Sequence, residues 1–471
     1  LEAVASRADG RSLVIDPLGS YSYKELLSSA NDVTSFLRSQ SVPAGSVIGF
    51  SANEARCFIP LLFGILQADC VALPISPNLS ERERHIYATT THIGATLSVS
   101  NETTTQASSV ALPGSSRAVL TKENPTQFDI VRRSFPTAAV MRFTSGTTST
   151  AKGVVLSHEG VLERADACQR IFDITEHDRI LSPLPLSYHF IASVMAFIRA
   201  GATILDSAGL RDSDFASFVR ASKATFAYAA PSHYQTLCEH ARLDDVKHLR
   251  KAVSASAPLS TELARLFESR FNRRLIQAYG IIEVGLPLWN DNAEWKPEAL
   301  GEVKAPYEYQ LVDELGVSAH QSEVGELAVR GPGLFSGYVM HSGDVIKHPP
   351  NGWFLTGDLV QRSPDGTLAF KGRKQSRIVV GDHHIYPEEI ERILKRSSAI
   401  AEARVSAERD PALGARLIAE IVLRDQSLSP SQSWLELCAQ EIPVYQRPDE
   451  FRIVSAIPST GSGKVIRRPA L

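Results

Sequence analysis

Thr144, Ser145, Gly146, Thr147, Thr148, Ser149, Thr150, Ala151, Lys152 and Gly153 follow one another directly, and this run constrains the chain more than any other stretch. Glycine lets backbone come close to an anion, while N–H groups, hydroxyls and one ammonium all donate to phosphate oxygens. The run points to a nucleotide polyphosphate, with an ordinary solvated Ser/Thr loop as the bland alternative. A Walker A loop requires glycine directly before its lysine and Ser or Thr directly after it. Ala151 and Gly153 hold those positions here. The hydroxyl that would meet magnesium is therefore missing, and a nucleotide fold of another kind is expected.

At 471 residues the chain exceeds one ordinary core, so two or more domains are expected. A hydrophobic fraction of 43% and a charged fraction of 21% fit a soluble globular protein. The formal net charge of -3 argues against a nucleic-acid or anionic-membrane partner and favours a small-molecule enzyme. Cys57, Cys70, Cys168, Cys238 and Cys438 are scattered and show no CxxC spacing. They read as buried thiols of a reducing compartment, so a cytoplasmic location is expected. The longest apolar stretch, residues 58–75, is broken by Pro60, Gln67, Asp69 and Pro74. It reads as a buried helix followed by a strand, and no membrane span is expected. The chain starts at Leu1, which leaves open a targeting segment ahead of it.

From residue 23 to about 190, helix-period stretches (24–39, 55–67) alternate with short apolar runs (47–50, 71–74, 96–99). Further apolar runs follow at 180–182, 203–205, 225–229, 251–254 and 274–277. This is the texture of βα sheets with helices on their faces, an α/β fold. Residues 301–370 change to short strands punctuated by Gly and Pro, a small antiparallel β unit. The last hundred or so residues read as a separate α+β piece. The polar segment 101–109 reads as a surface loop.

Six further motifs come in a fixed order: Tyr279-Gly280-Ile281-Ile282-Glu283, Gly325-Glu326-Leu327-Ala328-Val329-Arg330-Gly331, Trp353-Phe354-Leu355-Thr356-Gly357-Asp358, Gly372-Arg373, Tyr386-Pro387-Glu388-Glu389-Ile390-Glu391 and Gly461-Ser462-Gly463-Lys464. Together with the phosphate loop, this order resembles the adenylate-forming superfamily of acyl- and aryl-CoA synthetases, nonribosomal-peptide adenylation domains and luciferases. In character the chain is most similar to the acyl-CoA synthetases. The likeness runs from about residue 11 to 471. It implies a large N-terminal adenylation domain, residues 1–372, made of two βα sheet subdomains plus a small β-barrel. It further implies a small mobile α+β domain, residues 373–471.

The resemblance also implies a chemistry: an AMP-forming acid-thiol ligase that joins a carboxylate to the α-phosphorus of ATP, expels pyrophosphate and transfers the acyl group to a thiol. Anion attack on anion demands positioned cations and donors. The resemblance assigns Thr144, Ser145, Gly146, Thr147, Thr148 and Lys152 to the β- and γ-phosphates and Glu283 to Mg²⁺, a hard cation suited to carboxylate oxygen. Ser256, Ala257, Pro258, Tyr279 and Gly280 would hold adenine. Asp358 would accept from the ribose hydroxyls with Arg373 beside it, a structural salt bridge being the bland alternative. Lys464, otherwise an ordinary surface lysine, would be the catalytic residue, carried by the mobile domain. Gly381 would line the thiol tunnel, and Gln375 would be the hinge where relatives usually carry Asp or Lys. His383 and His384 read as surface or tunnel-wall residues and not as a metal site.

Three departures touch the nucleotide site. Ser149 replaces the usual glycine, Ala151 the usual proline, and Ile282 a threonine that in relatives donates to the α-phosphate. Residues 182–205 contain no carboxylate to hold a substrate ammonium, so an α-amino acid is disfavoured and an apolar or aromatic carboxylic acid is expected. Tyr188, His189, Phe190 and Gly285 are the candidates for its pocket, with a satisfied core histidine as the plain alternative for His189. Coenzyme A is the expected acceptor. The alternatives are an acyl carrier protein, an enzyme that stops at acyl-AMP, and a non-catalytic nucleotide or acyl-ligand binder.

Overall fold

The computed structural model describes residues 1–8, 10–77, 79, 81–91, 93–100, 108–122, 130–143, 152–208, 210–291, 296, 299–313, 324–348, 352–380, 383–397, 399–410, 414–425, 441–459 and 465–466. The chain divides into two compact units. One comprises Leu1–Thr144, Lys152–Glu308 and Arg330–Gly352; the other comprises Ser145–Ala151, Tyr309–Val329 and Trp353–Leu471.

The first unit is built on two nine-stranded sheets. One runs in the order Glu302–Val303, Gly285–Asn290, Leu275–Ile281, Lys251–Ser254, Phe226–Ala229, Arg179–Leu181, Thr203–Leu205, Ser12–Asp16 and Gly19–Ser22. Its central strands are parallel, and its edges close with antiparallel hairpins. The other runs Val345–Lys347, Gly337–Met340, Lys152–Ser157, Ala138–Phe143, Val71–Pro74, Val47–Ser51, Ala95–Ser100, Arg117–Lys122 and Ser109–Ala111. Parallel strands covered by helices on both faces need apolar side chains on both faces. Accordingly every residue of Val71–Pro74 and of Phe226–Ala229 is buried. Ser109, expected in a loop, instead begins an edge strand.

Helix Tyr23–Ser39 starts where Ser22 and Glu25 cap each other: the Ser22 hydroxyl accepts from Glu25 N, and the Glu25 carboxylate accepts from Ser22 N at 2.6 Å. Leu26, Ala30, Val33 and Leu37 recur at helical spacing and are buried. Against them lies helix Ala55–Gln67, whose Gly64 comes so close that an added Cβ would stand 2.6 Å from Val33. The first turn of this helix is held by the end of a strand from the other sheet, since Ala55 N donates to Asp206 Oδ2 at 2.6 Å. Among the described residues no helix is long and apolar enough to cross a membrane. Cys57, Cys70, Cys168 and Cys238 are buried free thiols, as the sequence suggests, and burial pushes Cys57 up to about 11.

In the second unit the small β region is a four-stranded sheet of Glu308–Val312, Val324–Arg330, Phe354–Arg362 and Leu368–Arg373. A second layer pairs helix Pro387–Leu394 with the hairpin Ile400–Asp410 and Gly414–Leu423, to which Glu450–Ile453 adds in parallel. Ile385, Ile390, Leu394, Ile400, Val405, Ala419 and Ile421 form the core of this layer.

Candidate functional site

Arg179–Leu181, Phe226–Ala229, Lys251–Ser254 and Leu275–Ile281 are parallel neighbours, so the segments leaving their carboxyl ends gather on one side of the sheet. Ligands of open α/β sheets bind on that side. Those segments carry Tyr188, His189, Ser256 and Glu283, while Tyr279 lies within the strand Leu275–Ile281 near its carboxyl end. Two of them meet, because His189 Nε2 and Ser256 Oγ lie 2.9 Å apart. The His189 ring also stands edge-on to Tyr228 with centroids 6.1 Å apart. Ser256 has φ +74°, in the left-handed region that side chains avoid. Directly after His189, residues Phe190–Val194 form a single wide π-helical turn, a distortion that recurs at functional sites. Ser193, fully buried, ties this turn back by donating to the His189 carbonyl. Tyr188 lies with its ring 4.9 Å from the Arg142 guanidinium, which also donates to the Tyr188 carbonyl. Phe190 is fully buried and packs against Phe58, centroids 5.4 Å apart.

Glu283 sits in the tight turn between Leu275–Ile281 and Gly285–Asn290, closed by the Ile281–Gly285 pair. Two glycines make this turn feasible. A Cβ on Gly280 would stand 2.3 Å from the Gly285 carbonyl, and Gly285 itself has φ +113°. Arg164, on helix His158–Phe172 and 2% exposed, then fixes the backbone of the turn. Its guanidinium donates to the carbonyls of Ile282 at 2.5 Å, Glu283 at 2.6 Å, and Gly333. Burial pushes this guanidinium down to about 10.

The Glu283 side chain accepts at Oε1 from the Tyr338 hydroxyl at 2.9 Å. Tyr338 lies on Gly337–Met340, which pairs antiparallel with Lys152–Ser157, placing Met340 opposite Lys152. The Lys152 ammonium stands over the Tyr338 ring, 5.2 Å from its centroid. Burial, then the neighbouring Glu283 charge, push the Tyr338 hydroxyl far above its ordinary value, so it stays a donor.

In the second unit, antiparallel pairing sets Asp358 opposite Arg373, and Arg373 Nε donates to Asp358 Oδ1 at 3.1 Å. Asp358 is 2% exposed while its partner is half-exposed. Gln375 is exposed in a short turn whose neighbours are both tethered. Lys374 pairs with Glu326 at 2.7 Å, and Ser376 Oγ donates to Glu388 Oε1 at 2.5 Å. Thr144, Ser145, Gly146, Thr147, Thr148, Gly381 and Lys464 lie outside the described residues.

The structure thus brings Lys152 to Glu283 through Tyr338, His189 to Ser256, and Asp358 to Arg373. Sequence reasoning missed Tyr338, Arg164 and Arg142. Tyr338 falls in a Gly- and Pro-punctuated run that reads only as a strand, and Arg164 in a helix where an arginine suggests a solvated face. The contacts that these three side chains make join residues 46 to 186 positions apart. Arg142 alone carried a usable signal, a cation within the apolar run that leads into the Ser/Thr-rich segment 144–150.

Residues 1–339 match the family model described as AMP-binding enzyme, and residues 389–464 match that of the AMP-binding enzyme C-terminal domain. The sulfoacetate–CoA ligase of Cupriavidus necator is 28% identical over 339 residues, which cover 70% of this chain and 66% of that protein. The long-chain-fatty-acid–CoA ligase of Bacillus subtilis is 26% identical over 343 residues, covering 71% and 61%. The chain therefore spans under two thirds of the length of either relative. ATP-bound MatB from Rhodopseudomonas palustris shares the fold, with a TM-score of 0.81 at 18% identity over 98% of this chain and 96% of that one. With the AMP-binding model matching residues 1–339 of 471, the chain belongs to the AMP-binding enzyme family.

Proposed function

We propose that the chain activates a carboxylic acid with MgATP and passes the acyl group to the thiol of coenzyme A. A carboxylate oxygen bonds to the α-phosphorus as the bond to the β-phosphate oxygen breaks, releasing pyrophosphate. The thiol sulfur then bonds to the acyl carbon, losing its proton, and AMP leaves. The observation that carries this reading is the Lys152–Tyr338–Glu283 constellation at the exit of the phosphate loop: a cation for phosphate oxygens and a carboxylate for a metal, set side by side on paired strands.

Among the described residues no cluster of three or more metal-ligating side chains occurs. The single carboxylate of Glu283, with one oxygen engaged by Tyr338, fits Mg²⁺, which keeps its waters and is held by one or two carboxylates plus substrate phosphates. Glu283 would hold it through the oxygen that Tyr338 leaves unbonded; when bound, the ion neutralises phosphate charge. In this reading residues 144–148 and Lys152 bind the β- and γ-phosphates, and Ser256, Ala257, Pro258, Tyr279 and Gly280 enclose adenine. Asp358, oriented by Arg373, accepts from ribose. Lys464 supplies the reactive cation from a mobile domain, residues 373–471, that turns about Gln375 and presents Gly381 to the thiol. The acid is not an α-amino acid. Residues 182–205 bear no carboxylate, and Asp206 directly after them is buried and engaged by Ala55 N and Ala208 N.

The test is pyrophosphate release from MgATP over a panel of aliphatic, aromatic, sulfonated and amino acids, with and without coenzyme A. Release with one acid class and an acyl-CoA product supports the reading. Lys464→Ala should slow adenylation by about a hundredfold or more. Nucleotide binding without release for any acid, unchanged in Lys464→Ala, would make the chain a binder and not a ligase.

A further inference from the structure

Lys152 and Glu283 carry opposite charges, approach the same tyrosine, and form no ion pair with each other. Tyr338 stands between them, its ring face under the ammonium and its hydroxyl on Oε1 of the carboxylate. We propose that Tyr338 is a positioning residue that keeps the phosphate-binding cation and the metal-binding carboxylate from neutralising one another and aims the second carboxylate oxygen at the metal. The proposal rests on the nucleotide reading above and names how that site is kept ready.

The physical case has three parts. A lysine and a glutamate free to meet would form a charge-assisted hydrogen bond, and each would be lost to its ligand until that bond broke. A phenol can engage both without cancelling either, since its π face attracts a cation while its O–H donates to an anion. A donor on Oε1 alone also fixes the carboxylate rotamer and leaves Oε2 for a hard cation. The arrangement is set by sheet register, because Gly337–Met340 and Lys152–Ser157 are hydrogen-bonded neighbours. It is set equally by Arg164, which holds the Glu283 carbonyl, and by Phe335 N, which donates to that carbonyl at 2.9 Å.

The experiment measures ATP and AMP binding to the full chain by titration across Mg²⁺ concentrations, for wild type, Tyr338→Phe, Tyr338→Leu, and Tyr338→Leu combined with Glu283→Gln. AMP reaches neither Lys152 nor the metal in this reading, so it reports a merely structural effect. Tyr338→Phe keeps the ring and should raise both the MgATP Kd and the half-saturating Mg²⁺ roughly tenfold, the loss of one charge-assisted hydrogen bond, with AMP affinity unchanged. Tyr338→Leu should weaken ATP binding even without metal, and adding Glu283→Gln should restore that metal-free component because Lys152 loses its competitor. Tyr338→Phe indistinguishable from wild type, or equal losses for ATP and AMP, would overturn the proposal. Wild type that binds ATP without any Mg²⁺ dependence would instead overturn the nucleotide reading, and the proposal with it.

Discussion

At the scale of the residue, Arg164 shows how a buried charge can act without a carboxylate partner. Its guanidinium is satisfied by three backbone carbonyls, two of them in the turn that presents Glu283. Arg164→Met keeps most of the apolar stem but removes the donor to the Ile282 and Gly333 carbonyls, while the Glu283 carbonyl retains Phe335 N, so stability should fall by about 2–4 kcal/mol. A lower urea midpoint at unchanged slope would show it. Asp358 makes a contrasting case. Buried beneath Arg373, it can serve ribose or merely bind its neighbour. If it serves ribose, Asp358→Asn weakens ATP and AMP to the same degree, whereas an equilibrium titration showing both unchanged would reduce the pair to a structural bridge. Glu283, Asp358, Lys152 and His189 are singled out in the sequence by the resemblance of their segments to the adenylate-forming superfamily. Tyr338 and Arg164 are not, because a tyrosine in a strand and an arginine in a helix acquire meaning only from what faces them.

At the scale of the element, the hairpin of Leu275–Ile281 and Gly285–Asn290 carries the adenine and metal candidates together, and its glycines are there for steric reasons. Gly280→Ala would drive a Cβ to 2.3 Å from a backbone oxygen that has no freedom to yield. We expect it to disrupt the turn, lowering the melting temperature and abolishing Mg²⁺-dependent ATP binding. Ser22→Ala, by comparison, removes only one half of a capping box and should cost about 1 kcal/mol with nucleotide binding intact. Helices and strands of this kind were legible to within a few residues. The helix periods at 24–39 and 55–67 and the apolar runs at 71–74, 203–205 and 251–254 correspond to Tyr23–Ser39, Ala55–Gln67, Val71–Pro74, Thr203–Leu205 and Lys251–Ser254. Burial on one helix face or both strand faces writes that periodicity directly into the sequence. The π-helical turn at Phe190–Val194 was not legible, since the residues that make it are as apolar as those of any buried helix.

At the scale of the whole molecule, a buried ion-pair cluster lies at the end of the parallel sheet opposite to the proposed site residues. At the amino ends of three neighbouring strands, Asp178 accepts from Thr175 N at 2.9 Å, from Thr225 Oγ1 at 2.7 Å, and from Arg250 Nε and Nη2 at 2.8 and 2.7 Å. Burial alone would raise its pKa, but the hydrogen bonds from Arg250, Thr175 and Thr225 hold it below the ordinary value. A depressed folded-state pKa means stability that is full above the unfolded value, about 3.9, and is lost as pH falls through the folded one. Asp178→Asn should therefore lower the urea midpoint at pH 7, and the gap to wild type should shrink as the pH drops below about 4. By itself the sequence determined the α/β class, the family and the residues proposed for a nucleotide site, because hydrophobic periodicity and short motifs are local properties of a chain. Only the tertiary structure decided that Tyr338 stands between Lys152 and Glu283, that Arg164 pins the turn, and that His189 reaches Ser256. Each of those contacts joins residues more than fifty positions apart, and sheet register and helix packing, not local pattern, fix such distances.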